Sequence, residues 1–151
     1  MQAKHRLTRV AVILASIAIG PLALAQEMPK GGSAPAPLQP RQFPTNVQWV
    51  LKSLNGKPVG DNEPTLQLDT QLRMRGFAGC NTFSATAYPG RNQGIAVGPL
   101  ALTNKECDKA TMEFEKTYLL GLRTSQQWQV KDGFLYLVGE KSELKFERAL
   151  F

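Results

Sequence analysis

One histidine, His5, is the chain's whole supply of imidazole, and there are only two cysteines, Cys80 and Cys107. His5 falls in a segment that reads as a removable leader, so the mature protein has no side chain with an unperturbed pKa near 7. That excludes Ser-His-Asp and Cys-His machinery. Two cysteines without histidine cannot close a structural zinc site, which takes four nitrogen or sulfur ligands. Neither GxGxxG nor GxxxxGK[ST] occurs, so no glycine-rich phosphate cradle is expected. These residues call for no cofactor and no metal.

Long apolar runs are equally scarce. The one candidate, Val10–Ile19, is broken only by Ser16, follows Lys4, Arg6 and Arg9, and precedes Ala23-Leu24-Ala25. Basic start, short apolar stretch and small-x-small exit make residues 1–25 a secretory signal peptide, too short and wrongly flanked for an anchor. The expected location is periplasmic or secreted, with no stable membrane span after cleavage. Cleavage removes three of the 18 basic residues and none of the 12 acidic ones, so the net charge falls from +6 to +3. That charge is thinly spread, with no basic run interleaved with aromatics, so nucleic acid is not an expected partner.

Residues 28–45 hold Pro29, Pro35, Pro37, Pro40 and Pro44, with Gly31, Gly32 and Ser33 among them. Such a stretch has little to bury and is read as a solvated, extended linker over residues 26–46. The folded domain is expected over residues 47–151. From Val47 the pattern alternates with a period of two, punctuated by turns. Val47 to Leu54 ends at Asn55-Gly56, a pair suited to the positive φ of a tight turn. Residues 65–69 and 72–76 form a second pair, and a three-residue connection would set Leu68 opposite Leu72 and Leu66 opposite Met74. Residues 81–88 and 94–98 follow. Residues 127–131 and 134–138 flank Asp132-Gly133, pairing Val130 with Leu135 and Trp128 with Leu137. Phe134 to Val138 is apolar on both faces and is expected to be covered on both sides. Residues 144–148 close the series.

Between the strands the period changes. Ala110, Phe114, Tyr118 and Leu122 recur at helical spacing beside Leu119, with Asp108 as N-cap. The expected fold is α+β and mainly antiparallel: a small barrel-like rolled sheet of about eight short strands with one amphipathic helix.

An even cysteine count in an oxidising compartment reads as one disulfide, Cys80–Cys107, against two free buried thiols or a redox pair. Closing that loop would stabilise the fold by roughly 3–4 kcal/mol in the chain-entropy picture. The absence of CxxC makes the redox reading the weakest.

Gly76-Phe77-Ala78-Gly79-Cys80-Asn81-Thr82-Phe83 resembles the G-x-x-G-C-N-x-F/Y signature of the META domain, the HslJ-like family of secreted and heat-shock-related proteins. Trp49-Val50-Leu51 with Leu54-Asn55-Gly56 looks like that family's opening. Pro99 to Thr103 followed by Cys107 resembles its P-x-x-x-T-x-x-x-C stretch, and Met112, Glu115 and Leu122 fall where its helix carries M, E and L. Glu106 departs from the pattern, since a small or apolar residue more often precedes the second cysteine. The resemblance implies a compact β-barrel-like domain with one helix, often exported, and no particular reaction. Gly76 and Gly79 suit close backbone approach, and Asn81 suits a turn that it bonds itself, so the motif reads as structural.

Other patterns favour plain roles. Ser142-Glu143-Leu144-Lys145 matches S-x-x-K, but on a turn and strand rather than a helix start. Asp61, Asn62 and Glu63 lack EF-hand spacing. Glu113 and Glu115 point to different sides of the helix and cannot act as a pair, and Glu115 is placed to cap a neighbouring loop or meet an arginine. Trp49 and Trp128 read as core aromatics, and Arg73 and Arg75 as a wet strand face. The expected function is a non-catalytic binding or structural module in envelope maintenance or stress tolerance, meeting an envelope protein or a small apolar ligand. The alternative is a hydrolase or inhibitor-type protein acting on cell-wall material through carboxylates.

Overall fold

Two strands carry their apolar residues at an odd spacing, and each solves the problem with a bulge. The computed structural model describes residues 41–60 and 63–150. The signal peptide, residues 26–40 of the linker, and Asp61 and Asn62 therefore lie outside the described residues. Strand β1 (Gln48–Leu54) buries Trp49, Leu51 and Leu54, which strict alternation cannot do. Its pairing with β10 (Glu143–Arg148) shifts between Leu51 and Ser53, so the extra residue returns Leu54 to the inside. Strand β8 (Ser125–Lys131) repeats the device, with a shift between Ser125 and Gln127 that lets both Ser125 and Trp128 face inward.

The hairpins follow turn chemistry. Asn55 and Gly56 (φ 52° and 75°) turn β1 into the short β2 (Lys57–Pro58), and Asp132 and Gly133 (φ 52° and 83°) turn β8 into β9 (Phe134–Gly139). In the second hairpin Val130 faces Leu135 and Trp128 faces Leu137, the register expected from the sequence. Strands β3 (Thr65–Leu68) and β4 (Arg73–Phe77) depart from expectation: Leu68 pairs with Met74 and Gln67 with Arg75, a slip of two residues. The inward face is unchanged by an even slip. Asp69 drives it, because its Oδ1 accepts from the Gln71 and Arg73 N–H groups at 2.9 Å and holds Leu72 at φ 64°. Those bonds, led by the Arg73 N–H, keep the Asp69 carboxyl below the usual aspartate range. Arg73 and Arg75 lie exposed above it at 3.2 and 3.4 Å.

Strand β5 (Thr82–Pro89) pairs with β4 on one side and divides its other edge between β6 (Ile95–Val97) and β7 (Ala101–Leu102). The order β6-β5-β4-β3-β1-β10-β9-β8 runs nearly full circle. It is drawn together by a Gly94–Gln127 bridge and by Gln93 Nε2 donating to the Trp128 carbonyl at 3.2 Å. The fold is the expected α+β barrel-like sheet with one helix, β2 and β7 being two-residue additions to eight main strands.

Helix α1 (Lys109–Thr124) starts where Asp108 accepts from the Thr111 N–H at 3.0 Å, the expected N-cap. It stops without a glycine. Thr124 and Ser125 turn their hydroxyls back onto the Leu120 and Gly121 carbonyls at 2.8 Å, and the chain passes straight into β8. Tyr118 and Leu122 are fully buried, Phe114 is half-buried and Ala110 is exposed. Tyr118 sits between Phe83 and Phe146 and donates to the Thr65 carbonyl at 3.2 Å; burial pushes its phenol pKa far up.

Two further expectations need correction. Phe43 is buried and meets Trp128 edge-to-face at 5.2 Å, so the packed domain reaches back into the stretch read as linker, ahead of Val47. Among the described residues the outer face of β9 has no second layer: Phe134, Tyr136 and Val138 are half-buried, and the Lys145 ammonium lies over the Phe134 ring at 4.0 Å. This lysine head on the neighbouring strand also stands 5.8 Å from the Tyr136 ring centre, a cation–π cover for the face.

Gly76 lets β4 pass close to the Thr65 carbonyl, the same atom that accepts the Tyr118 hydroxyl. A Cβ there would stand 1.9 Å from the Thr65 carbonyl oxygen and 2.8 Å from the Phe83 ring. Gly76→Ala should therefore lower the unfolding free energy by roughly 2–4 kcal/mol, read from urea denaturation, because a backbone atom cannot yield as a side chain can.

Candidate functional site

The loop between β4 and β5, Ala78-Gly79-Cys80-Asn81, carries the sequence motif. It is a hairpin loop whose ends close through the Ala78 N–H donating to the Asn81 carbonyl at 2.7 Å. Gly79 adopts φ +107°, where a side chain would be strained, and its Cα side faces the Phe114 ring. The turn leaves the Cys80 and Asn81 N–H groups pointing at the helix, where Glu115 meets them.

Glu115 is 4% exposed, as are Cys80 and Asn81. Its Oε2 accepts from the Asn81 N–H at 2.6 Å and the Cys80 N–H at 3.2 Å, and its Oε1 accepts from Asn81 Nδ2 at 2.9 Å. Asn81 passes the connection on. Its Oδ1 accepts from the Lys105 N–H at 2.7 Å and Thr103 Oγ1 at 2.8 Å, and its Nδ2 also donates to the Lys105 carbonyl at 3.2 Å. Thr103 accepts in turn from the Thr82 N–H at 3.2 Å. The Cys80–Cys107 disulfide joins the same two segments, with Cys80 buried and Cys107 exposed. Gly79, Cys80, Asn81, Thr103, Cys107 and Glu115 are thus brought into one cluster of fully used donors and acceptors.

The remaining motif residues stand elsewhere. Asn55 Oδ1 accepts from the Glu143 N–H at 2.8 Å, and the Asn55 N–H donates to the Glu143 carbonyl, also at 2.8 Å. With Gly56 it pins the β1–β2 turn to the start of β10. Pro99 is exposed between β6 and β7. Ser142 lies in the β9–β10 turn while Lys145 reaches over Phe134, so the S-x-x-K residues share no site. Glu63 pairs with Lys52 at 3.7 Å, and Glu113 is exposed. Among the described residues no three His, Cys, Asp or Glu side chains converge for a metal.

The barrel is filled by its own side chains, with Leu51, Leu66, Leu68, Met74, Leu137 and Phe146 fully buried. Among the grooves that indent the outside, two lie at opposite ends of the barrel. One, about 600 Å³, runs between the C-terminal half of α1, β6 and the β9–β10 turn, and includes the 61% exposed Leu120. The other, about 460 Å³, lies at the opposite mouth, where Trp49, Trp128, Val47 and Val130 meet Arg41 and Arg148.

A family model, the META domain, matches residues 42–150. The chain belongs to the META domain family. An NMR structure of a protein from Burkholderia xenovorans is similar at 22% identity, covering 82% of this chain and all of the other, with a TM-score of 0.58. A second NMR structure is 27% identical over 67% of this chain and 87% of its own, with a TM-score of 0.55. A crystal structure of a DUF4847 family protein from Bacteroides vulgatus ATCC 8482 shares the fold at 13% identity, 67% and 91% coverage and a TM-score of 0.52. No curated protein matches.

In this META domain Glu115 should be felt in stability. Glu115→Gln puts an amide NH2 among three N–H donors and should cost about 2–4 kcal/mol in urea denaturation, whereas Glu113→Gln should stay within about 0.5 kcal/mol.

Proposed function

We propose that the protein is an exported, non-catalytic META-domain module that binds a partner or ligand on its outer surface and serves envelope maintenance or stress tolerance. The filled interior carries this reading. A barrel whose inward positions are taken by leucines, methionine and aromatics holds no internal cargo. Function then falls to the outer surface, where the grooves at the two ends of the barrel are candidates. Among the described residues Glu115 is the one buried acid, and its oxygens already serve three N–H donors. A carboxylate-based hydrolase needs two acids facing one cleft. The disulfide suits an oxidising compartment, and among the described residues no helix is long and apolar enough to cross a membrane.

The test is complementation of a deletion strain under detergent and heat stress. The full-length chain should restore survival, and a chain lacking residues 2–25 should not. No envelope defect on deletion, or equal rescue by the chain without its leader, would overturn the proposal.

A further inference from the structure

The helix closes one end of the barrel, where Gly121 packs against Leu144. The other end is marked by the β8–β9 hairpin, the start of β1 and the end of β10. There the inward register of β10, Leu144 and Phe146, continues to Arg148, which pairs with Trp49 across the strands. An arginine thus takes the position where the sequence of buried apolar residues would run on. Arg41 approaches from the segment before β1, and the two exposed guanidiniums flank a floor of Trp49, Trp128, Val47 and Val130. Neither arginine has an ion-pair partner among the described residues, although Arg73, Arg75 and Lys52 all do.

A second observation points the same way. Trp49 and Trp128 are each 3% exposed, yet neither indole N–H has an acceptor among the described residues. Buried indoles ordinarily find one. The two unpaired cations ask for a group that carries negative charge, and the floor of tryptophan and valine side chains asks for an apolar body. The Phe43 ring, edge-to-face on Trp128, covers part of this floor. Its segment has a single backbone tether to the barrel among the described residues, the Asn46 N–H to the Leu68 carbonyl at 2.8 Å. Displacing that ring would uncover the Trp128 indole.

We propose that this mouth binds a small apolar carboxylate, with its chain or ring on the two tryptophans in place of Phe43 and its anionic head between Arg41 and Arg148. The volume of about 460 Å³ suits one such molecule. The inference rests on the binding-module reading and gives that reading a ligand class.

Octanoate, octanol and octyltrimethylammonium, titrated into the oxidised mature protein, test it by tryptophan emission and calorimetry. Octanoate should bind saturably, with octanol and the cation weaker by about tenfold or more, as expected for loss of a charged hydrogen bond. Arg148→Gln, whose exposed site leaves the fold intact by melting temperature, should weaken octanoate by about tenfold and leave octanol unchanged. Phe43→Ala should tighten octanoate. No saturable octanoate binding, equal affinity for all three probes, or an unchanged Arg148→Gln would overturn the proposal. If rescue of the deletion strain by the full-length chain survives that result, only the ligand class falls; if rescue fails too, the binding-module reading falls with it.

Discussion

A carboxylate from the middle of a helix, turned inward and held by three N–H groups, is the constraint on which the rest of this domain depends. Burying an acid in a protein interior costs several kcal/mol unless its oxygens are well bonded. Glu115 meets that demand with neutral donors alone: two backbone N–H groups of the motif loop and the Asn81 amide. The loop must therefore be a turn that points two successive N–H groups the same way, and Gly79 at φ +107° makes it one. Asn81 must be held from its other side, which Lys105 and Thr103 do. The disulfide then fixes the covalent distance between the two halves of this arrangement. Remove one member and the others are left buried and unpaired.

Local chemistry was the part most legible in the sequence. Asp132-Gly133 set a hairpin register to the residue, and Asp108 marked the helix start, because both act over a few adjacent residues. What escaped was longer in range or broke the period. The bulges at Leu51–Ser53 and Ser125–Gln127 let strands bury residues at a spacing of three, and no turn residue announces them. The β3–β4 slip came from one aspartate side chain competing for two backbone donors, a choice that apolar matching alone cannot see. Phe43 was lost among prolines, although it was the one large aromatic in that stretch. For Glu115 a signal did exist. It shares a helical face with Leu119 and Leu122 at i+4 and i+7, and an acid in an apolar stripe implies waiting donors. The identity of those donors, some thirty-five residues away in sequence, comes only with the fold.

The two ends of the barrel differ in how their polar groups are paired. At the helix end the Thr124 and Ser125 hydroxyls are paired and the Tyr118 hydroxyl bonds β3, so these groups hold the fold, while the buried Ser142 hydroxyl of the β9–β10 turn has no partner among the described residues. At the far mouth, among the described residues, two arginines lack ion-pair partners and two indoles lack acceptors. Evenly satisfied groups stabilise; groups left in want of partners are where a ligand gains most. The META motif thus marks the clamp, and the proposed ligand surface lies away from it.

Native-state hydrogen exchange at the Cys80 and Asn81 amides tests the clamp most directly. If Glu115 holds the loop as described, both amides exchange only through global unfolding, with an opening free energy that equals the value from urea denaturation and falls with urea in parallel. Exchange of either amide through a low-energy local opening, independent of urea, would contradict the account.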